Sequence, residues 1–260
     1  MRVGPAQLWP DVAPQWILNL PQWLEDIFYK MYKCFIFDER YTMFAKGLGN
    51  TLLLTALALI LGVILGVVVS LVRVTWDKNG SEMHGPAKWI LGIANVISKI
   101  YITVIRGTPV VVQLLIMYFV IFASSRNKIV VGALSFGINS GAYVAEIIRG
   151  GLMSVDKGQM EAGRSLGLSY CQSMRFVILP QAFKNVLPAL GNEFIVLIKE
   201  TSIVSFIAVT DLYKSFKQLG DPTYDYTMPY LMLALTYLVL VLLISWGVRV
   251  LEAKMKKSER

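Results

Sequence analysis

The sequence predicts an all-α integral membrane protein with five transmembrane helices, and three observations indicate it. Of the 260 residues, 55% are hydrophobic and only 16% are charged, whereas soluble domains carry roughly 25% charged residues. The mean hydropathy is +0.57. Apolar stretches of about 20 residues, the length that crosses a bilayer, recur between short polar segments.

Residues 1–46 are predicted to form an N-terminal extension. Its larger apolar residues recur at helical spacing among mixed charges, as Trp16, Leu20, Trp23, Ile27 and Met31. That pattern suits an amphipathic helix in the lipid headgroup layer, but Pro21 interrupts it. An interfacial helix and an irregular lead-in packed on the other helices both remain open. The segment lacks the uninterrupted apolar run of a secretory signal peptide.

The membrane domain is predicted to cover residues 47–252. Three of its apolar stretches carry no charged residue, and two others carry polar or charged side chains within the run. In order, the five are residues 51–72, 107–125, 129–148, 186–208 and 226–248. A further stretch, residues 87–105, is interrupted by Lys88 and Lys99. We expect it to form a helix that lies along or enters the inner surface of the membrane.

Lysine and arginine predict the orientation, because both are enriched in cytoplasmic loops. With the N-terminus outside, fifteen of the 25 Lys and Arg residues fall on the cytoplasmic side and nine outside. The C-terminus is then cytoplasmic, in a basic tail of residues 253–260. The polar segment 157–180 is cytoplasmic as well. Basic loops beside the membrane lipid account for the net charge of +8, and no nucleic acid partner is predicted.

The sequence offers no catalytic or metal-binding constellation. Its one histidine, His84, stands beside Gly85 and Pro86 in a predicted loop. The two cysteines, Cys34 and Cys171, form no zinc or redox motif. No Gly-Lys dipeptide occurs, so the chain has no P-loop to cradle ATP phosphates. The chain is therefore not predicted to be an enzyme or to hold a cofactor or metal.

The segment 157–180 carries the signals of two short helices. Residues 158–166 are predicted to be helical and to end at Gly167, which can adopt the left-handed conformation. Ser169 and Gln172 form a capping-box pattern that starts a second helix. That helix is expected to end at about Leu179, because Pro180 disfavours helical backbone before it. On spacing alone, a rigid docking element and an ordinary connecting loop are both open.

This segment resembles the EAA loop of the membrane subunits of ATP-binding-cassette importers. The residues in register with that pattern are Glu161, Ala162, Gly163, Gly167, Val177, Leu179 and Pro180. The sequence departs from the pattern at Gly163, which replaces Ala, and at Val177, which replaces Ile. Further motifs resemble the polar amino acid branch: RGTP at 106–109, YVAE at 143–146, RGG at 149–151, KGQ at 157–159, LPAL at 187–190 and KETS at 199–202.

The resemblance, which covers about residues 47–252, implies a multi-pass permease subunit in the inner (cytoplasmic) membrane that forms the translocation pathway for an amino acid. It implies a second permease subunit, either the same or a related chain, and two cytoplasmic ATPase subunits that bind ATP and Mg. An extracytoplasmic substrate-binding protein would deliver the substrate. The residues expected to couple to the ATPase are Lys157, Gln159, Glu161, Ala162, Gly163, Ser165, Gly167, Leu179 and Pro180.

Polar residues inside the predicted membrane helices are candidates for the substrate pathway, because such groups are costly in lipid and usually face water or the bundle. They are Asn50, Thr51, Asn139, Tyr143, Glu146, Asn192, Glu193, Lys199, Glu200, Thr201 and Ser202. Glu193 or Glu146 could bind a substrate ammonium. Backbone N–H groups, Thr51 or Lys199 could bind its carboxylate. A purely structural hydrogen-bond network is the alternative.

A stand-alone secondary carrier or channel for a small polar solute is the rival function. Carriers often contain inverted repeats. No such repeat is visible, and an odd number of helices disfavours one. The identity of the amino acid remains open.

Overall fold

The computed structural model describes residues 5–222 and 224–257, and these contain α-helices and no β-strand. The α-helices are α1 (Pro5–Val12), α2 (Gln15–Leu18), α3 (Gln22–Phe35), α4 (Tyr41–Asn79), α5 (Pro86–Gly107), α6 (Val110–Ile116), α7 (Lys128–Met153), α8 (Lys157–Ser165), α9 (Tyr170–Ser173), α10 (Leu179–Glu200), α11 (Leu212–Gly220) and α12 (Thr227–Lys257). Two single π-helical turns follow α6 (Met117–Ile121) and α9 (Met174–Ile178), and a 3-10 segment (Thr201–Ile207) follows α10.

Four helical stretches in the described part of the chain are long and apolar enough to cross a membrane: Phe37–Asn79, Pro86–Gly107, Lys128–Met153 and Thr227–Met255. The first and third contain the predicted helices 51–72 and 129–148, and the fourth covers the predicted helix 226–248 except for its first residue.

Residues 86–107 differ from the expectation of a surface helix, because their 22 residues meet the length and composition of a membrane span. The apolar helix that follows, Val110–Ile121, is shorter. Residues 186–208 divide between α10 and the 3-10 segment. Because α10 carries several polar residues, it is not among the four stretches that are apolar enough to cross a membrane. The number of crossings and the orientation stay predictions.

The helices α4 and α7 form the centre of the molecule and run parallel to each other. Small residues allow the two backbones to approach closely, as is typical of membrane helix pairs. A Cβ atom on Gly62 would lie 2.9 Å from Ser140, and one on Gly66 would lie 2.5 Å from Val144. The helix α10 runs antiparallel to α7, since Val186 packs on Gly151 while Glu193 reaches Ser140.

The largest buried cluster joins α4, α6, α7, α10 and the 3-10 segment. Its fully buried side chains include Leu54, Leu114, Phe136, Leu197 and Val204. Where lipid is the solvent, such packing stabilises through dispersion contacts rather than through exclusion of water. The cluster fixes the first half of α7 against the second half of α10 and thereby positions the polar residues one or two turns further along α7.

The described part of the N-terminal extension contains α1, α2 and α3, a 3-10 turn at Phe37–Glu39 and the first residues of α4. The first three helices have a cluster of their own, in which Trp9, Ile17 and Tyr32 are buried. The stripe of apolar residues is broken between α2 and α3, where Pro21 occupies the N-cap of α3. Trp16 and Trp23 remain exposed. The extension joins the bundle through Phe35, whose ring centroid lies 4.7 Å from that of Phe44. Its interfacial role stays a prediction.

The helix α12 continues to Lys257, so the first part of the predicted basic tail is helical. Residues 258–260 of that tail, and residues 1–4 of the extension, lie outside the described residues.

Candidate coupling elbow and translocation pathway

Residues 157–180, the coupling elbow, begin with α8 as predicted. Asp156 caps its N-terminus, with Oδ1 accepting the Gly158 N–H at 2.7 Å. Its C-terminus is a Schellman motif. The Leu168 amide donates to the Gly163 carbonyl at 3.1 Å, and the Gly167 amide donates to the Arg164 carbonyl at 2.9 Å. Gly167 has φ +80°, which confirms the predicted left-handed turn.

The second helix of the elbow starts at the predicted capping box. The Gln172 amide donates to Ser169 Oγ at 3.3 Å, and the Ser169 amide donates to Gln172 Oε1 at 2.8 Å. Two backbone donors at the start of α9 are therefore satisfied, and the turn between α8 and α9 is fixed at both sides.

The expected end of that helix at Leu179 is wrong. The chain stays helical through Pro180 because a π turn at Met174–Ile178 precedes it, in which the Leu179 amide donates to the carbonyl of Met174, five residues earlier. Pro180 then lies in the first turn of α10, where its missing N–H costs little. The elbow is therefore continuous with α10.

Most of the expected coupling residues lie on the exposed surface of the elbow. Lys157, Gln159, Glu161, Ala162, Ser165, Gly167, Leu179 and Pro180 are exposed, whereas Gly163 is buried. A Cβ atom on Gly163 would lie 2.7 Å from Ser173 Oγ, so the two elbow helices touch at this point. Beside them, Leu166 is 83% exposed and Phe176 is 64% exposed. Exposed apolar side chains of this size indicate a surface that a partner covers.

The polar candidates at the start of α4 bind the backbone of the segment before α11. Asn50 Nδ2 donates to the Thr210 carbonyl at 2.7 Å. Thr51 is fully buried, and its Oγ1 accepts the Leu212 N–H at 3.1 Å. Thr201 is also fully buried and donates to the Ile198 carbonyl. These bonds favour the structural alternative for the three residues.

The centre of the molecule holds a buried carboxylate. Ser140 Oγ, fully buried, donates to Glu193 Oε1 at 2.7 Å, and Glu193 is 9% exposed. No lysine or arginine among the described residues forms an ion pair with Glu193. A carboxylate without a cation in such surroundings is energetically costly.

Asn139, next to Ser140, belongs to a second hydrogen-bond chain. Its Nδ2 donates to Gln113 Oε1 at 2.9 Å, and Gln113 Nε2 donates to the Ile105 carbonyl and to Thr108 Oγ1, both at 2.8 Å. This chain bridges the break between α5 and α6. Sequence reasoning missed Gln113, although an amide in the middle of the apolar run VVVQLLI was a visible signal.

Glu146 is already neutralised. Its Oε2 forms an ion pair with Arg149 Nη2 at 3.0 Å, and Arg149 Nε also donates to Oε1. The candidate next to it, Tyr143, lies under the Arg106 guanidinium, 5.1 Å from the ring centroid. Glu146 and Glu193, which sequence reasoning treated alike, therefore differ in whether a cation is already present.

The remaining candidates differ in their burial. Asn192 and Lys199 are exposed, with no hydrogen bond or ion pair to any described residue, whereas Glu200 and Ser202 are half-buried. In lipid, an unpaired lysine and an amide are both costly. This side of α10 therefore requires either water or another protein surface beside it.

A family model described as "binding-protein-dependent transport system inner membrane component" matches residues 87–257. The arginine transport system permease protein ArtQ of Bacillus subtilis is 37% identical over 217 residues, which cover 82% of this chain and 93% of ArtQ. The putative glutamine transport system permease protein GlnP of Rickettsia bellii is 36% identical over 222 residues, which cover 84% of this chain and 95% of GlnP.

Two solved structures are similar. A chain in a crystal structure of an amino acid ABC transporter with histidines has a TM-score of 0.72 and 41% identity, covering 82% of this chain and 94% of its own length. A chain of the inward-facing MetNI methionine ABC transporter has a TM-score of 0.67 and 20% identity, covering 84% and 98%. The second similarity concerns the fold alone.

Proposed function

Because this chain belongs to the family of binding-protein-dependent transport system inner membrane components, we propose that Glu193 and Ser140 form part of its amino acid pathway and that the coupling elbow binds the ATPase. Members of the family are permease subunits of ATP-binding-cassette importers, and a separate subunit hydrolyses ATP. The chain is therefore a multi-pass membrane component of such an importer rather than a stand-alone carrier or an enzyme.

The pathway proposal is carried by one observation, the Glu193 carboxylate held by Ser140 Oγ at 2.7 Å without a cation. An amino acid substrate brings an α-ammonium group, and some bring a cationic side chain as well. Either group would supply the positive charge that Glu193 lacks as a partner. The Ser140 bond fixes the carboxylate in place beforehand, so little reorganisation accompanies binding.

The exposed polar side of α10 supports a pathway shared with a second permease subunit. Asn192 and Lys199 form no hydrogen bond or ion pair with another described residue, although Lys199 interacts electrostatically with the neighbouring Glu200. A water-filled path between two permease subunits would lower the desolvation cost of both side chains. Lys199 is then the candidate partner for the substrate carboxylate. Asn50, Thr51 and Thr201, whose hydroxyl or amide groups bind backbone, are proposed to support the pathway rather than to contact substrate.

The proposed substrate is a cationic or neutral polar amino acid. The relatives above are named for arginine and glutamine transport, which fall in these two classes. An unpaired carboxylate repels an acidic side chain, so Glu193 disfavours glutamate and aspartate as substrates.

The elbow proposal assigns ATPase contact to its exposed residues. Fixed turns at Gly167 and Ser169 make the elbow rigid, and its continuity with α10 connects it to Glu193. Two ATPase subunits with bound ATP and Mg, one on each elbow of a permease pair, would then change the exposure of the central carboxylate as they close and open. An extracytoplasmic binding protein would supply the substrate.

The test is uptake of labelled arginine and glutamine by the complete importer in liposomes. Glu193→Gln keeps the size and the Ser140 hydrogen bond but removes the charge. We expect uptake of the transported substrate to fall at least about ten-fold, with basal ATP hydrolysis retained. Glu82→Gln, at an exposed glutamate after α4, is the matched control. Unchanged uptake by Glu193→Gln would contradict the proposal.

A further inference from the structure

A groove between the end of α4 and the first half of α5 has a volume of about 700 Å³. One wall is the Trp76 ring, which packs over Gly92, since a Cβ atom there would lie 3.1 Å from the ring. Lys88, Asn95 and Lys99 line it from α5. These residues follow one another at spacings of seven and four, so they share one face of α5.

The groove carries positive charge that the described part of the chain leaves unbalanced. Neither Lys88 nor Lys99 forms an ion pair or hydrogen bond with a described residue. Behind the groove, Arg73 Nη1 donates to Asn95 Oδ1 at 3.0 Å. The Nε atom of Arg73 is buried and has no hydrogen-bond partner in the described segments. The acidic residues nearest in sequence, Asp77 and Glu82, are exposed and do not line it.

The apolar surroundings of the groove match lipid. Trp89 is 76% exposed, Ile93 60% and Ile97 61%, all on a helix long and apolar enough to cross a membrane. Tryptophan is enriched at the level of lipid headgroups. Lys88 stands in the first turn of this helix, so its side chain can reach the headgroup layer, and its charge favours an anionic partner there.

We infer that this groove binds an anionic phospholipid, with Lys88 as the charge partner of its phosphate and the Trp76 ring as its wall. The lipid phosphate, with its single negative charge, pairs with Lys88 in the first turn of α5, and its acyl chains lie on Ile93 and Ile97. The predicted orientation puts this end of α4 on the cytoplasmic side, where the bilayer surface is negative. The bound lipid would fix α5 against α4, next to the α5–α6 break that Gln113 bridges.

The test uses the purified full-length chain in detergent, titrated with phosphatidylglycerol or phosphatidylcholine and followed by native mass spectrometry. We expect phosphatidylglycerol to bind at least about ten-fold more tightly than phosphatidylcholine. The double variant Lys88→Gln/Lys99→Gln should lose most of that preference. Lys78→Gln, an exposed lysine that does not line the groove, should keep it.

A second variant tests the shape of the site without changing its charge. Gly92→Leu would fill the groove beneath Trp76 and is expected to lower phosphatidylglycerol binding about as much as the lysine substitutions do. If Gly92→Leu does not fold, the lysine variants still test whether the groove binds an anionic phospholipid.

Equal binding of the two lipids, or a preference that the double lysine variant retains, would overturn the inference. Competition by millimolar inorganic phosphate as effective as that by lipid would identify a site for free anions instead. Cross-linking that places a second permease subunit in the groove of the assembled importer would overturn it as well.

Discussion

Gly163 and Ser173 form the tightest contact between the two helices of the coupling elbow. Ser173 is fully buried, and its Oγ has no hydrogen-bond partner among the described residues. Sequence reasoning noted that Gly163 stands where the importer pattern has alanine. The reason became visible only in the structure, because the obstacle to alanine is a side chain ten residues further along.

Gly163→Ala is expected to destabilise the elbow by about 1–3 kcal/mol, because its Cβ would lie 2.7 Å from Ser173 Oγ. Ser173→Ala should be neutral or slightly stabilising, since it removes a buried hydroxyl without a partner. The double variant should recover most of the loss. Thermal unfolding of the purified chain and recovery of bound ATPase measure both effects. Equal destabilisation in the single and double variants would contradict this account.

The stability of the folded state is expected to depend on pH through Asp211, at the start of α11. It is fully buried and caps α11, accepting the Lys214 N–H at 2.9 Å and the Tyr213 N–H at 3.1 Å. Burial raises the pKa of its carboxyl from 3.8 to about 6. The folded state therefore binds the proton more tightly than the unfolded state. The resulting stabilisation is complete below pH 3.8 and is lost as the pH rises through about 6.

Asp211→Asn should remove this contribution while keeping a side chain that can cap the helix. We expect the difference in thermal stability between Asp211→Asn and the natural chain to favour the variant increasingly as the pH rises from 5 to 7.5. A difference that does not change with pH would show that the Asp211 carboxyl does not titrate in this range.

The elements that sequence reasoning identified correctly within the elbow are those with local signals. The end of α8 at Gly167 and the capping box at Ser169 depend on residues within one or two turns. The prediction of a helix end before Pro180 was wrong, because packing outweighs the local cost of helical backbone at the residue before a proline. Ile178 and Ala182 are buried against Leu152 and Val74, and this contact keeps the chain helical through the π turn.

Gly167→Val is the sharpest test at the level of the elements. A β-branched residue at φ +80° costs about 1–2 kcal/mol in the left-handed conformation, so the turn between α8 and α9 should open. We expect weaker co-purification with the ATPase and less transport, with membrane insertion unchanged. Gly49→Val, at a helical glycine with open space around it, is the control. If the ATPase co-purified equally with Gly167→Val and Gly49→Val, the proposal that the elbow contacts the ATPase would be contradicted.

Across the whole molecule, composition and apolar runs predicted the helical membrane fold, and the motifs predicted the family. The pairing of polar groups was harder, since Glu146 and Glu193 both stand in largely apolar runs. Arg149, three residues after Glu146, neutralises the first of these carboxylates. Which helix meets Glu193 depended on the antiparallel packing of α10 on α7, and that packing involves residues about fifty positions apart.

Cysteine labelling tests the predicted orientation of the molecule. Cys171 is exposed on the elbow, whereas Cys34 is buried in the N-terminal extension. In sealed cells we expect a membrane-impermeant maleimide to leave Cys171 unlabelled and a permeant one to label it. Cys171→Ser gives the background from Cys34. Labelling of Cys171 by the impermeant reagent would reverse the predicted topology and separate the elbow from any cytoplasmic ATPase.

The central claim is that this chain forms an amino acid pathway whose opening depends on an ATPase bound at the elbow. It is tested most directly by uptake into liposomes that contain the chain with or without its ATPase and substrate-binding partners. The account predicts uptake only when both partners and ATP are present. Uptake by the chain alone, at the same rate with and without ATP, would contradict it.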